Sequence, residues 1–176
     1  MIYGIGAKSL SETLGVTEDE AREFKTTFLN RYAKVKEFIQ KTVDACRNND
    51  EHFVETLNGR KRFLPNIECG NNAERAHAER QAVNTTIQGS ASDLVKSAMI
   101  AVDRAILKKK NSISAKLVLQ MHDELMYEVL EKDANQFAIL LRKTMESCSS
   151  QLTVQLPVKV KIGQNWGSME YQEEDK

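Results

Sequence analysis

The sequence predicts an α+β fold, in which a small antiparallel sheet lies beside several flanking helices. Two long segments, 18–48 and 73–110, carry apolar residues at helical spacing. An Asn-Gly pair at 58–59 separates two strand-like runs, and two more apolar runs flank the acidic residues at 123–124. Of the 176 residues, 41% are hydrophobic and 28% are charged, which is typical of a globular protein. No apolar run approaches the ~20 residues of a membrane helix, so we expect no membrane partner.

The first long segment has a clear helix start. Thr17 is followed three positions later by Glu20, the pattern of a capping box. One or two helices are therefore expected over 18–48. We interpret the apolar stripe of this segment as a core-facing surface, because amphipathic helices usually bury that face.

The next segment reads as a β-hairpin. Strand-like runs at 53–57 and 60–64 flank Asn58-Gly59, which is typical of a type I′ turn with positive φ at both central residues. Pro65 is expected to end the second strand.

The rest of the chain alternates between helical and strand patterns. A helix over 73–110 contains Gly89-Ser90 near its middle, where we expect a break or kink. The remaining predicted elements are strands at 116–120 and 125–130, a helix over 134–152 and a strand over 157–162.

Charge and cysteine content limit the possible function classes only weakly. The formal net charge is zero, which argues mildly against a dedicated nucleic-acid binder. On charge alone, the short basic runs at 60–62 and 108–110 favour a solvated surface. The three cysteines, Cys46, Cys69 and Cys148, form no CxxC pair, so we expect no zinc site.

The adjacent carboxylates Asp123 and Glu124 lie where two apolar strands meet. A charge beside apolar surface needs compensation, and a hard divalent cation such as Mg²⁺ supplies it through oxygen ligands. An ordinary acidic turn is the alternative, and for the pair taken alone it is favoured.

A second candidate site is the polar series Arg80, Asn84 and Gln88. The spacing of four residues places all three on one helix face. Such side chains suit base edges and sugars, and the degenerate pattern of the minor groove suits a protein that accepts any sequence. The alternative is a solvated face, although such a face usually carries Glu and Lys.

Four blocks, in this order and spacing, resemble family A DNA polymerases, the class of bacterial DNA polymerase I and eukaryotic polymerases theta and nu. Residues 2–10 (IYGIGAKSL) are similar to the end of motif B. Residues 57–65 (LNGRKRFLP) resemble the family's G-R-R-R-x-L-P hairpin, and 78–93 resemble the long helix after it. Residues 120–125 (QMHDEL) match motif C. The resemblance covers almost the whole chain.

The resemblance implies a role for each residue near motif C. Asp123 is expected to ligate the catalytic metals with Glu124 beside it, and His122 to lie near the primer end. Two Mg²⁺ ions are implied as cofactors, because nucleotidyl transfer of this type uses a pair of metal ions. Primer–template DNA and deoxynucleoside triphosphates are the implied partners.

The other blocks imply contacts with DNA and the nascent base pair. Arg80, Asn84 and Gln88 are expected at the minor groove and the template–primer junction. Tyr3 is implied as the fingers tyrosine that stacks near the nascent pair. Arg60 and Arg62 are expected either to approach the DNA backbone or to be purely structural, and the sequence favours neither.

The resemblance also implies that part of the active site lies elsewhere. Residues 1–50 are expected to be a partial fingers subdomain and 51–176 a palm subdomain with motif C. Motif A and the triphosphate-binding fingers residues precede these blocks in the family, so the remainder of the polymerase chain upstream is an expected partner. We therefore expect the isolated 176 residues not to polymerise.

Finer features favour the theta/nu branch and a repair role. Residues 76–82 (AHAERQA), 159–163 (KVKIG) and Trp166-Gly167 are similar to that branch. This implies a location in the nucleus, or in the cytoplasm at the nucleoid if the protein is bacterial. Two other interpretations stay open: a non-catalytic DNA-binding remnant or short isoform, and a structural α+β domain with unrelated binding.

Overall fold

The computed structural model describes residues 4–109 and 112–171. The chain divides into two compact units, residues 1–90 and 91–176, which are described separately below. The described residues contain helices and three two-stranded antiparallel sheets, so the predicted α+β class is confirmed. None of the described helices is long and apolar enough to cross a membrane.

The first unit begins with three helices: α1 (Ala7–Leu14), α2 (Glu18–Arg31) and α3 (Ala33–Arg47). The predicted capping box is present at the start of α2. The Thr17 amide donates to Glu20 Oε2 at 2.9 Å, and the Glu20 amide donates to Thr17 Oγ1 at 3.3 Å. The helical prediction of one or two helices over 18–48 is therefore confirmed, with two helices present, whereas α1 was not predicted.

The predicted hairpin is confirmed, with β1 (Phe53–Glu55) paired antiparallel to β2 (Lys61–Phe63). The predicted type I′ turn is wrong, because only Gly59 has a positive φ (76°) and Asn58 does not. The Gly59 amide donates to Thr56 O at 2.9 Å, and the Thr56 amide donates to Arg60 O at 3.0 Å. The loop therefore has three residues, with glycine in the left-handed position.

A long, interrupted helix follows. It consists of α4 (Asn72–Asn84), one π-helical turn (Thr85–Gly89) and α5, which begins at Ser90 and ends at Lys108. The predicted break near Gly89-Ser90 thus takes the form of a π-turn. A buried cluster packs α3, β1, the segment after β2 and α4 together through Cys46, Val54, Leu64, Ile67, Ala78 and Ala82.

The second unit contains β3 (Ala115–Met121), β4 (Glu124–Val129), α6 (Ala134–Ser147), and the short strands β5 (Lys161–Ile162) and β6 (Glu170–Tyr171). Val102, Ile113, Phe137, Ala138, Leu141 and Val160 form its core. The predicted hairpin strands near 116–130 are confirmed.

Two predicted elements are shorter than expected. The helix predicted to reach 152 ends at Ser147, where tight turns replace it, such as Cys148 N–H to Met145 O at 3.1 Å. The strand predicted over 157–162 pairs only at Lys161–Ile162. The Val158 amide instead donates to Glu146 Oε1 at 2.9 Å, so it is not part of a ladder.

Candidate functional site

The carboxylate pair lies at the tip of the β3–β4 hairpin. Met121 pairs with Glu124 across the two strands, which leaves His122 and Asp123 as the two-residue connection. His122 adopts a left-handed backbone with φ 54°, which is uncommon outside glycine. Gln120 Nε2 donates to His122 O at 2.8 Å and ties the turn to β3. Asp123, Glu124 and His122 are all exposed, so both carboxylates are open to solvent.

The carboxylate pair fits a magnesium ion in the type of ligand it offers. Magnesium prefers oxygen ligands and is commonly held by one or two carboxylates together with water and substrate phosphates. Among the residues that the structure describes, no three His, Cys, Asp or Glu side chains converge on one point. Asp123 and Glu124 therefore offer part of a coordination shell, and their assignment as metal ligands stays a prediction.

The strands behind this turn differ in their packing. Tyr127 on β4 stacks edge-on against Phe137, with ring centroids 5.1 Å apart. Its burial, with a smaller contribution from the nearby Asp103 carboxylate, raises the pKa of Tyr127 to about 12. On β3, by contrast, Leu117 is 40% and Val118 59% exposed.

The polar series lies on α4 and the π-turn. Arg80 and Gln88 are exposed and Asn84 is half-buried. Asn84 Oδ1 is buried and accepts no hydrogen bond from the described residues. A buried acceptor without a partner is costly, so this oxygen is a candidate for contact with a ligand.

Arg80 also has a close neighbour near the start of the chain. Gly4 has a φ of 73°, and a Cβ atom built on it would lie 2.6 Å from Arg80 Cγ. Only glycine therefore fits at this position beside the Arg80 side chain. Tyr3, the predicted fingers tyrosine, lies outside the described residues.

Arg60 and Arg62 both donate hydrogen bonds to the π-turn. Arg60 Nη2 donates to Gly89 O at 3.2 Å, and Arg62 Nη1 donates to Thr85 Oγ1 at 3.1 Å. These contacts favour the structural interpretation of the two arginines, and a contact with the DNA backbone stays a prediction. Sequence reasoning missed Thr85, although the expected break at Gly89 and the predicted contact residue Gln88 both pointed to this region.

Comparison with known proteins agrees with the family resemblance seen in the sequence. The model of DNA polymerase family A matches residues 1–168. This chain belongs to DNA polymerase family A.

Its relatives come from both branches that the sequence resembles. DNA polymerase theta of Mus musculus is 40% identical over 96% of this chain, and DNA polymerase I of Caldicellulosiruptor bescii is 39% identical over 94%. A solved structure, the POL domain of Pol1 from M. smegmatis in complex with DNA primer-template and dNTP, is similar with a TM-score of 0.76 and 36% identity. It covers 84% of this chain.

The chain corresponds to a small part of these family A proteins. It spans 8% of the mouse polymerase theta, 19% of the C. bescii polymerase I and 25% of the M. smegmatis chain. The resemblance to family A seen in the sequence is confirmed. The identities to theta and to polymerase I are nearly equal.

Proposed function

We propose that this chain forms part of the active site of a DNA-directed DNA polymerase, with Asp123 and Glu124 as its metal-ligating carboxylates. The observation that carries the proposal is the exposed carboxylate pair at the tip of the β3–β4 hairpin, in a chain that family A matches over residues 1–168. The proposed substrates are primer–template DNA and deoxynucleoside triphosphates, the ligands of the similar M. smegmatis structure.

The proposed reaction is the in-line attack of a primer 3′-hydroxyl on the α-phosphate of a deoxynucleoside triphosphate, which breaks the bond between the α- and β-phosphates and releases pyrophosphate. Two Mg²⁺ ions, when bound, stabilise the attacking and leaving oxygens. The role of this chain is to hold Asp123 and Glu124 at a fixed turn, which the Gln120–His122 hydrogen bond supports. His122 in the same turn is proposed to lie near the primer end.

The face that carries Arg80, Asn84 and Gln88 on α4 and the π-turn, called the α4 face below, is proposed to contact the minor groove. Exposed Arg80 and Gln88 offer donors to phosphate, sugar and base edges, and the unpaired Asn84 Oδ1 offers an acceptor. Tyr3 is proposed to stack near the nascent base pair, on the strength of the family motif alone.

The exposed strand β3 supports the proposal that the upstream remainder of a longer polymerase chain is a partner. Leu117, Val118 and Leu119 of β3 are 40%, 59% and 39% exposed, which is unusual for three successive apolar strand residues. An open apolar edge of this kind is prone to pairing with another strand. Additional strands from upstream segments, with their own carboxylates, are the proposed occupants.

Nuclear location and a role in DNA repair are the biological setting proposed for this chain. The near 40% identity to animal polymerase theta supports the repair role, and the similar identity to bacterial polymerase I leaves replication as an equal alternative. The nuclear location is proposed from the resemblance to the theta/nu branch alone.

The test is primer extension by the native protein that contains this chain, carrying Asp123→Asn. We expect Mg²⁺-dependent extension to fall at least about a hundredfold, because metal ions supply several kcal/mol of charge stabilisation in such reactions. Glu128→Gln, which removes another exposed carboxylate on β4, is the matched control and should keep full activity. Equal activity of the Asp123→Asn variant and the wild-type protein would overturn the proposal.

A further inference from the structure

The β1–β2 hairpin contacts the π-turn (Thr85–Gly89) at three points and the next residue, Ser90, at a fourth. Arg60 and Arg62 donate to Gly89 O and Thr85 Oγ1, as described above. The Leu57 amide donates to Ser90 Oγ at 2.8 Å. The buried Thr56 side chain lies directly over Gly89, where an added Cβ atom would meet Thr56 Cγ2 at 2.8 Å.

The π-turn changes where Gln88 points. In a regular α-helix, residue 88 would lie about 80° further round the axis than residue 80. A π-turn accommodates one extra residue and so takes back up to about 100° of rotation, which returns Gln88 to within about 20° of Arg80. The turn therefore aligns the ends of the polar series, which a regular helix would spread across a wider arc.

Two hydroxyl groups of the helix donate hydrogen bonds to backbone carbonyls in or next to this turn. Thr86 Oγ1 donates to Ala82 O at 3.1 Å, and Ser90 Oγ donates to Thr86 O at 2.5 Å. The Gly89 carbonyl accepts instead from Arg60 on the hairpin. The π-turn is thus contacted by hydroxyl groups of its own helix and by the hairpin.

We infer that the β1–β2 hairpin is a positioning element that fixes the π-turn and, through it, the direction of Gln88 toward DNA. Gly89 is the residue that permits this contact, because any side chain there would push the hairpin away. The inference rests on the proposed DNA-binding role of the α4 face and extends it to residues that do not themselves contact DNA.

The direction in which Gly89→Ala changes duplex binding separates this inference from a purely local effect of alanine on the helix. Alanine in place of glycine normally favours a helix, and Gly89 does not have a positive φ. Here the added methyl group is expected to displace Thr56 and release the π-turn. Thr56→Ser removes Cγ2 but keeps the hydroxyl that accepts from the Arg60 amide at 3.1 Å, so it makes room for the methyl group.

The assay is fluorescence anisotropy with a labelled primer–template duplex and the native protein that contains this chain. We expect Gly89→Ala to weaken binding about tenfold, the worth of one base-edge contact. Thr56→Ser alone should bind within about twofold of wild type, and the double variant should recover most of the loss. Amide chemical shifts of 85–90, measured without DNA, should move in Gly89→Ala and return in the double variant.

A second pair of variants adds no volume and guards against misfolding of Gly89→Ala. Thr85→Val removes the hydroxyl that accepts from Arg62, whereas Thr85→Ser keeps it. Weaker duplex binding for Thr85→Val and wild-type binding for Thr85→Ser would support the inference.

The outcomes separate the two proposals. If an Arg80→Ala, Asn84→Ala, Gln88→Ala triple variant binds the duplex as well as wild type, the proposed DNA face is wrong. If that variant loses binding but Gly89→Ala and Thr85→Val do not, or if Thr56→Ser fails to rescue Gly89→Ala, the positioning role of the hairpin is wrong.

Discussion

Replacing Arg80 by alanine should weaken duplex binding and also lower its dependence on salt, whereas replacing Gln88 should weaken binding equally at every salt concentration. The two side chains are both exposed on the same helix face, and they differ in charge. An arginine at a phosphate releases a condensed counterion, and a glutamine does not. The salt dependence of the two variants therefore distinguishes the kind of contact that each residue makes.

The size of each effect follows from the charge removed. Arg80 can neutralise one phosphate, so its loss should reduce the slope of log affinity against log salt by about 0.9. Between 50 and 200 mM salt, the deficit of Arg80→Ala relative to wild type should therefore shrink by roughly 3.5-fold. Gln88→Ala should cost about 1–3 kcal/mol, or about 5- to 150-fold, with an unchanged slope.

Fluorescence anisotropy of a labelled primer–template duplex, titrated with the chain at several KCl concentrations, measures both quantities. Arg22→Ala is the matched control. Arg22 is an exposed arginine on α2 whose partners are the neighbouring surface carboxylates Glu18 and Asp19. It should leave affinity and slope close to wild type.

Either of two results would refute this reasoning about the α4 face. The first is an Arg80→Ala variant with the wild-type slope, which would mean that Arg80 does not lie at a phosphate. The second is a Gln88→Ala variant with wild-type affinity, which would remove Gln88 from the DNA contact.

Three further predictions concern stability and reactivity. Because burial raises the pKa of Tyr127 to about 12, its neutral form contributes stability below the unfolded-state pKa, and this is lost as pH rises from about 10 to 12. Because Tyr127 is partly exposed, we discount this effect to about 1–2 kcal/mol. From about pH 10 to 12, the free energy of unfolding in urea should therefore fall by about 1–2 kcal/mol less for Tyr127→Phe than for wild type. An equal fall in both proteins would contradict the raised pKa of Tyr127. Ile67 is fully buried, so Ile67→Ala should lower the free energy of unfolding by about 2–5 kcal/mol. A loss below about 1 kcal/mol in urea unfolding would be inconsistent with a core position for Ile67. Burial raises the pKa of the Cys46 thiol, and the nearby Arg47 charge partly offsets this effect. Cys46 should therefore react with a thiol reagent only on unfolding, after the more exposed Cys69 and Cys148. Simultaneous reaction of all three thiols would argue against a buried Cys46.

Local signals in the sequence predicted most of the secondary structure correctly. The capping box at Thr17 and the Asn-Gly pair depend on neighbouring residues alone, so the start of α2 and the presence of the hairpin were both confirmed. The turn type was wrong because the loop has three residues, and only Gly59 takes the left-handed conformation. The pairing register that decides the loop length is not encoded in the Asn-Gly pair itself.

Features that depend on distant residues were not predictable in the same way. The strand expected over 157–162 is mostly unpaired because Glu146, twelve residues earlier, binds the Val158 amide. The sequence could not decide between DNA contact and a structural role for Arg60 and Arg62. Their hydrogen bonds to residues of the π-turn 23 and 29 positions away favour the structural role.

In the candidate site, too, features set by local sequence were predictable and features set by distant residues were not. The acidic pair at the meeting of two strands and the polar helix face were both visible from residue spacing, and the structure places them on the expected hairpin and helix. The sequence indicated the π-turn only as an expected break, because Thr56 and Arg60, which contact Gly89 in this turn, lie far from it in the sequence.

The central claim is that this chain acts as part of a larger polymerase that supplies the remaining metal ligands. The most direct test is the intact mass of the endogenous protein, purified through an antibody to this chain. We expect a mass well above that of 176 residues, with additional upstream segments identified by peptide sequencing. An endogenous product of 176 residues would contradict the claim, and the chain would then be at most a DNA-binding remnant.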